Sequence, residues 1–185
     1  SLQTSSNKDL DEIIKAGNRA KDLVRQILTF SRQHKKEFIP IQPDLIIKEA
    51  LKMLRSSIPS TIKIESNVPK SGSIIGDPTQ LHQIMMNLCT NAYHAMRKTG
   101  GILSVLLEPV NLDENDIKVS ALAIPPGSFL KLEISDNGHG MDKATQQKIF
   151  DPYFTTKKIG EGTGLGLSVV HGIVKNFGGH ISVYS

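Results

Sequence analysis

Hydrophobic positions change period several times along the chain, and each change marks an element. Leu10, Ile13, Gly17, Ala20, Val24, Ile27 and Ser31 recur in alternating steps of three and four, with Ile14 and Leu28 widening the stripe. That spacing predicts one long helix over residues 8–34, with a heptad seam on one side and charges on the others. A lone helix with such a stripe is unstable in water and must pack on something. It packs either on its own domain or as half of a dimerisation hairpin. Pro40 and Pro43, which separate it from the rest of the chain, favour the hairpin.

From residue 38 the pattern is mixed. Phe38–Ile41 reads as a short strand, and Asp44–Ser56 as a helix with Leu45, Ile46, Ala50, Leu51 and Leu54 inward. Thr61–Ser66 alternates like a strand, with Ile62 and Ile64 inward. Asp77-Pro78 supplies an N-cap and a first-turn proline for a helix running to about Lys98, which Gly100-Gly101 ends. Strands follow at about 101–108 and 129–135, with Asn111–Gly127 as a polar loop between them. Residues 139–163 are rich in Gly, Thr and Lys and read as a mobile segment. A helix from about Leu165 to Asn176 turns Leu167, Val170, Ile173, Val174 and Phe177 inward. Gly178-Gly179 ends it, and His180–Tyr184 reads as a strand.

Length and charge narrow the function little. The 185 residues suit one domain plus an appendage, with a net charge of +4 spread along the chain. Arg32-Gln33-His34-Lys35-Lys36 is the densest basic spot, and a solvated turn accounts for it better than a nucleic-acid patch. One cysteine, Cys89, rules out an internal disulfide and suits a reducing, cytoplasmic compartment. It lies on an apolar helix, as a small buried hydrophobe would. No apolar run approaches the ~20 residues that span a bilayer, so no membrane contact is expected of this segment. Membrane anchoring of the parent protein stays open.

Three blocks carry chemistry. On the helix 78–98, Leu81, Met85, Leu88, Ala92 and Ala95 form one stripe. Asn87, Asn91, His94 and Lys98 form another, roughly 100° round. Two amides, an imidazole and an ammonium on one edge suit a triphosphate with Mg²⁺, because amide oxygens bind hard cations and the donors meet phosphate oxygens. A wet polar face would look the same. Asp136-Asn137-Gly138-His139-Gly140 follows a strand. A carboxylate there can accept from an adenine amino group, where guanine presents a carbonyl, and the glycines let backbone approach a flat base. A plain Asp-Asn-Gly turn is the competing reading. Gly160, Gly162, Gly164 and Gly166 alternate just before a helix, which gathers backbone N–H groups at its N-terminus as an anion site. A generic flexible loop is the alternative. The block is neither a Walker loop nor the dinucleotide fingerprint.

Together with Phe150-Asp151-Pro152-Tyr153-Phe154-Thr155-Thr156-Lys157, these blocks resemble, in order, the N, G1, F and G2 boxes of the sensor histidine kinase ATP-binding domain. The wording looks most like the nitrogen-regulator and PAS-linked branch. The resemblance covers about residues 38–185, and residues 8–36 resemble the second helix of the family's dimerisation domain. It implies a two-layer α/β sandwich, a mixed sheet with helices on one face, preceded by one long α-helix. It implies ATP and Mg²⁺ as ligands. Asn91 becomes the Mg²⁺ ligand with Asn87 assisting, and Asn87, Asn91 and His94 form the catalytic set. Lys98 would reach phosphate. Asp136, Gly138, Gly140 and Met141 would form the base pocket, and Tyr153, Thr156 and Lys157 would belong to the lid. Gly162, Thr163, Gly164, Leu165, Gly166 and Leu167 would hold the phosphate tail.

The resemblance also implies a function: transfer of the γ-phosphate to a histidine, then to an aspartate on a response-regulator receiver domain, in a homodimeric parent. Hydrolysing members of the wider superfamily carry a water-activating glutamate where this chain has Asn87, and an amide cannot act as that base. None of the six histidines has the context of the family's phosphoacceptor, and its final glycine box and last strand do not follow. The chain therefore reads as a fragment that binds ATP without phosphorylating itself. Rival readings are an ATP-switched hydrolase, a degenerate domain kept for dimerisation, and a serine kinase of the anti-sigma type.

Overall fold

Two apolar clusters organise the residues that the computed structural model describes, 38–116, 124–157 and 162–185. The chain divides into two units. The larger comprises Glu37–Thr156 and Gly164–Ser185, and the smaller Ser1–Lys36 and Lys157–Thr163, of which only Lys157, Gly162 and Thr163 are described. The helix expected over residues 8–34 lies outside the described residues.

In the larger unit the strands and helices run β1 (Ile39–Ile41), α1 (Pro43–Ser57), β2 (Ile62–Asn67), β3 (Ile74–Gly76), α2 (Pro78–Met96), β4 (Gly101–Leu112), β5 (Gly127–Asp136), α3 (Lys143–Gln146) and α4 (Gly166–Asn176). One sheet has the order β2-β4-β5. β2 lies parallel to β4 from Ile62↔Gly101 to Asn67↔Leu106, and β5 lies antiparallel to it from Leu103↔Asp136 to Leu112↔Gly127. β1 and β3 make a separate antiparallel pair.

The mixed sheet buries one face. Leu103, Val105 and Leu107 alternate inward on β4 and meet Ile47, Ala50, Leu51 and Leu54 of α1 and Met85, Cys89, Ala92 and Met96 of α2. This is the two-layer α/β sandwich with helices on one face. A second cluster joins Leu81 and Ile84 of α2 to Val170 and Ile173 of α4 and Ile41 of β1. α2 thus contributes to both clusters, and everything around the site hangs on it.

Local chemistry sets the ends of these elements. Asp77 Oδ1 accepts from the amides of Thr79 at 2.8 Å and Gln80 at 3.3 Å, with Pro78 behind it, as the cap reading requires. α2 ends at Met96, two residues before the expected Lys98, and Gly100 N donates to Met96 O at 2.8 Å. After α1, the Arg55 guanidinium donates to the carbonyls of Ile58 (2.6 Å), Pro59 (2.9 Å) and Ile62 (2.9 Å), tying the helix end to the start of β2.

Several expectations need correction. Leu45 is 57% exposed and Ile47 is fully buried. The inward stripe of α1 is phased by Ile47, Leu51, Leu54 and Ile58, and Leu45 lies about 200° from Ile47. On α2, Leu88 and Ala95 are only half-buried, and Leu88 packs in the second cluster. β3 was not expected. β4 runs on to Leu112, so Asn111 is ladder rather than loop, and its Oδ1 accepts from Ser128 Oγ at 3.2 Å. Within 139–163 the chain forms α3, capped by Asp142, whose carboxylate accepts from Thr145 N at 2.7 Å. His180–Tyr184 is not a strand. Its alternation sends Ile181 onto the second cluster, but no strand among the described residues pairs with it, and alternation without a hydrogen-bonded partner makes no ladder.

Candidate nucleotide-binding site

Once α2 has committed Leu81, Ile84, Met85, Cys89, Ala92 and Met96 to the core, the helical period leaves Asn87, Asn91 and His94 together on another stripe, all half-buried. The His94 ring tilts against Tyr93 with centroids 5.3 Å apart. Lys98 lies past the end of α2, in an exposed turn. Cys89, inside the core, has its thiol pushed up to about 12 by burial and holds a proton at any ordinary pH.

Asn87 joins this stripe to the glycine-rich block. Its Nδ2 donates to the carbonyl of Gly166 at 3.3 Å, leaving Oδ1 as an acceptor. Gly166 is the first residue of α4, and Val169 N is satisfied by Leu165 O at 3.0 Å. The amides ahead of it have no partner within the helix by rule, so this end is suited to an anion. Leu167 is half-buried in the first turn of α4. Gly164 (φ 68°) takes a left-handed turn just before the helix. A Cβ there would run into the Tyr153 backbone, 2.5 Å from its carbonyl oxygen, so the F block and the glycine block meet backbone to backbone. Tyr153 itself has φ 67° and its side chain is 76% exposed. A non-glycine residue held there is strained and marks a place where surrounding structure dictates the backbone. Thr156 is exposed. Lys157, Gly162 and Thr163 belong to the smaller unit.

At the other end of α2 stands Asp136, the last residue of β5. Its Oδ1 accepts from Gly138 N at 2.9 Å, and Oδ2 has no partner among the described residues. Gly138 presses on the last turn of α2, where a Cβ would come within 2.6 Å of Ala95 Cβ. From Asn87 to Ala95 the helix rises about 12 Å, so Gly166 meets the middle of α2 and the Asp136 turn meets its C-terminal end. Gly140 (φ 67°) turns the chain into Met141. Met141 N donates to Ser185 Oγ at 2.6 Å, and Gln146 Nε2 donates to Met141 O at 2.9 Å. Beside it, a cleft of about 400 Å³ is lined by Lys143, Gln146, Gln147, Ile149, Phe150 and Val183, none of them in the expected ATP set.

Sequence reasoning passed over Asn137. Its Oδ1 accepts from Ile102 N at 2.8 Å and fixes the Asp136 turn to the first rung of β4. The signal was an asparagine inside an Asp-Asn-Gly turn, where side-chain capping of nearby backbone is common.

Residues 76–185 match the family of histidine kinase-, DNA gyrase B-, and HSP90-like ATPases. The chain is 34% identical over 180 residues to the sensor kinase CckA of Brucella abortus, a match that covers 94% of this chain and 18% of that protein. It is 39% identical over 112 residues to the sensor histidine kinase ZraS of Escherichia coli O157:H7, covering 60% of this chain and 20% of the relative. It thus spans about a fifth of these relatives. Among solved structures, the mycobacterial sensor histidine kinase MprB superposes with a TM-score of 0.59 at 26% identity, covering 76% of this chain and 80% of that one. The described residues include no helix long and apolar enough to cross a membrane. The chain belongs to the family of histidine kinase-, DNA gyrase B-, and HSP90-like ATPases and carries the catalytic ATP-binding domain of a sensor histidine kinase.

Proposed function

We propose that this domain holds Mg-ATP along α2, with adenine at Asp136 and the phosphates between Asn87, Asn91, His94 and the N-terminus of α4. The γ-phosphate then passes to a histidine of the parent protein and on to a response-regulator aspartate. The observation that carries the reading is the hydrogen bond from Asn87 Nδ2 to Gly166 O. It draws the polar stripe of α2 and the anion-suited start of α4 to one place, where neither block alone would make a site.

The residues suit their roles chemically. Oδ2 of Asp136, which has no partner among the described residues, can accept from an adenine amino group. Asn87 and Asn91 offer neutral amide oxygens, a donor set that fits Mg²⁺ arriving with phosphate oxygens, since that ion keeps its charge balance through the substrate. Magnesium, when bound, would neutralise charge on the phosphates. His94 would add a donor on the same side, and Thr156 would belong to the lid. In the transfer, the bond from the γ-phosphorus to the β,γ-bridging oxygen breaks, a bond to an imidazole nitrogen forms, and ADP leaves. Positioning and electrostatics supply the catalysis. An amide at residue 87 favours retention of ATP over its hydrolysis.

Partners are inferred more coarsely. The histidine kinase ThkA, similar at 21% identity and a TM-score of 0.61 over 90% of this chain and 43% of that one, has been solved with the response regulator TrrA. That supports a receiver domain as the acceptor. The heptad stripe of residues 8–34 supports a homodimeric parent, and the wording of the blocks supports the nitrogen-regulator branch.

Calorimetric titration tests the site. A non-hydrolysable ATP analogue should bind in a Mg²⁺-dependent way, a GTP analogue should bind weakly, and Asp136→Asn should erase the difference. Equal binding of both nucleotides by the unaltered protein, or none of either, would sink the proposal.

A further inference from the structure

We propose that Asn137 is the positioning residue for base selection, holding Asp136 so that its Oδ2 faces the base. The inference rests on the adenine-reading role of Asp136 given above.

β5 ends at Asp136, whose partner on β4 is Leu103. The next β4 amide toward the strand start, that of Ile102, would be left without a rung. The Asn137 side chain supplies it, with Oδ1 accepting from Ile102 N at 2.8 Å. An amide side chain thus extends the ladder by one rung, at the point where the chain leaves the sheet to form the base turn.

Room for this bond is built into β4. A Cβ on Gly101 would fall on Asn137 Oδ1 and come within 2.7 Å of Met96 Sδ, and Gly101 has φ 152°. Only glycine lets the asparagine reach in. On the other side the turn is held by Gly138 against Ala95. Within the turn, Asp136 Oδ1 is already engaged by Gly138 N. The carboxylate can therefore pivot only if the turn moves, and Asn137 is the side chain that stops it. Because Met96 and Ala95 close α2, the same contacts set the base end of the groove relative to Asn87 and Asn91 on that helix.

The test measures binding of ATP and GTP analogues to the whole chain and to its variants. Asn137→Ala should weaken the ATP analogue by about tenfold and leave the GTP analogue nearly unchanged, so the ATP-to-GTP ratio collapses. Asn137→Asp keeps an oxygen for Ile102 N and should restore most of that ratio. Asp44→Ala serves as the stability control. It loses the bonds to Ser71 and Lys48 at the start of α1, away from the Gly101 end of the sheet, and should lower the melting temperature without moving the ratio. If Asn137→Ala keeps the unaltered ratio, or if Asp44→Ala lowers the ratio as much at equal loss of stability, Asn137 is merely structural and the proposal fails. Loss of adenine preference already in the unaltered protein would overturn the role of Asp136 itself, a separate outcome.

Discussion

Asn87 Nδ2 lies 3.3 Å from the carbonyl oxygen of Gly166, a bond between the middle of α2 and the first residue of α4. It commits the donor half of the amide to the protein and leaves the acceptor half available. In the proposed site one side chain would therefore both close the pocket and contribute to it.

Replacement of Asn87 separates these roles. Asn87→Ala removes both, and the affinity for the Mg-bound ATP analogue should fall by about one to two orders of magnitude. Asn87→Asp keeps an oxygen for the cation but sets a carboxylate against the Gly166 carbonyl, so it should not restore wild-type binding. Titration of the two variants with and without Mg²⁺ checks this. Full affinity in Asn87→Ala would remove Asn87 from the site.

Gly164 and Gly166 are close neighbours in sequence and should respond oppositely. At Gly164 a side chain would have to enter the Tyr153 backbone at φ 68°, so Gly164→Ala carries the cost of the left-handed backbone, about 1–2 kcal/mol, and of the clash as well. At Gly166 a Cβ would meet Asn87 Oδ1 at an ordinary 3.6 Å, and Gly166→Ala should stay within about 0.5 kcal/mol. Thermal melts of both variants decide the matter. In a chain of this size each kcal/mol shifts the midpoint by about 2–4 °C.

What could be read from the sequence was what neighbouring residues decide. Asp77-Pro78 and Gly178-Gly179 announce helix ends through their own backbone chemistry, and the blocks at Asn87, Asp136 and Gly164 fall near one helix as expected. What escaped depends on distant partners. β3 is three residues long and exists because β1 pairs with it. The burial of Ile47 in place of Leu45 depends on where the sheet meets α1. His180–Tyr184 has the right alternation and lacks a ladder. Asn137 acts on Ile102 across a long stretch of sequence, which no local pattern reports.

Asp44 gives the fold an acid limb. It is 3% exposed at the start of α1, where burial alone would raise its pKa. Hydrogen bonds from the Ser71 amide and hydroxyl and the nearby Lys48 ammonium outweigh that and hold the carboxyl below its ordinary 3.8. A folded-state value below the unfolded one contributes stability that is fully present above 3.8 and is lost as the pH falls through the folded value. Melting temperature should be insensitive to this group near neutrality and fall below that point. Asp44→Asn should flatten the acid limb, and an unchanged limb would locate the sensitivity elsewhere.

Cys89 offers a probe of the core beneath the site. It is fully buried among Met85, Ala92 and the β4 side chains, and a thiol pushed up to about 12 carries almost no thiolate at neutral pH. A thiol reagent should therefore react only when the core opens, and the labelling rate should follow the opening equilibrium. Because α2 carries both the core stripe and Asn87, nucleotide binding must stabilise the closed form, and saturating Mg-ATP analogue should slow labelling. Cys89→Ser puts an unpaired hydroxyl in that core and should cost about 1–3 kcal/mol, while Cys89→Ala should cost less. Rapid labelling of the native protein, unaffected by nucleotide, would mean that α2 does not couple the core to the site.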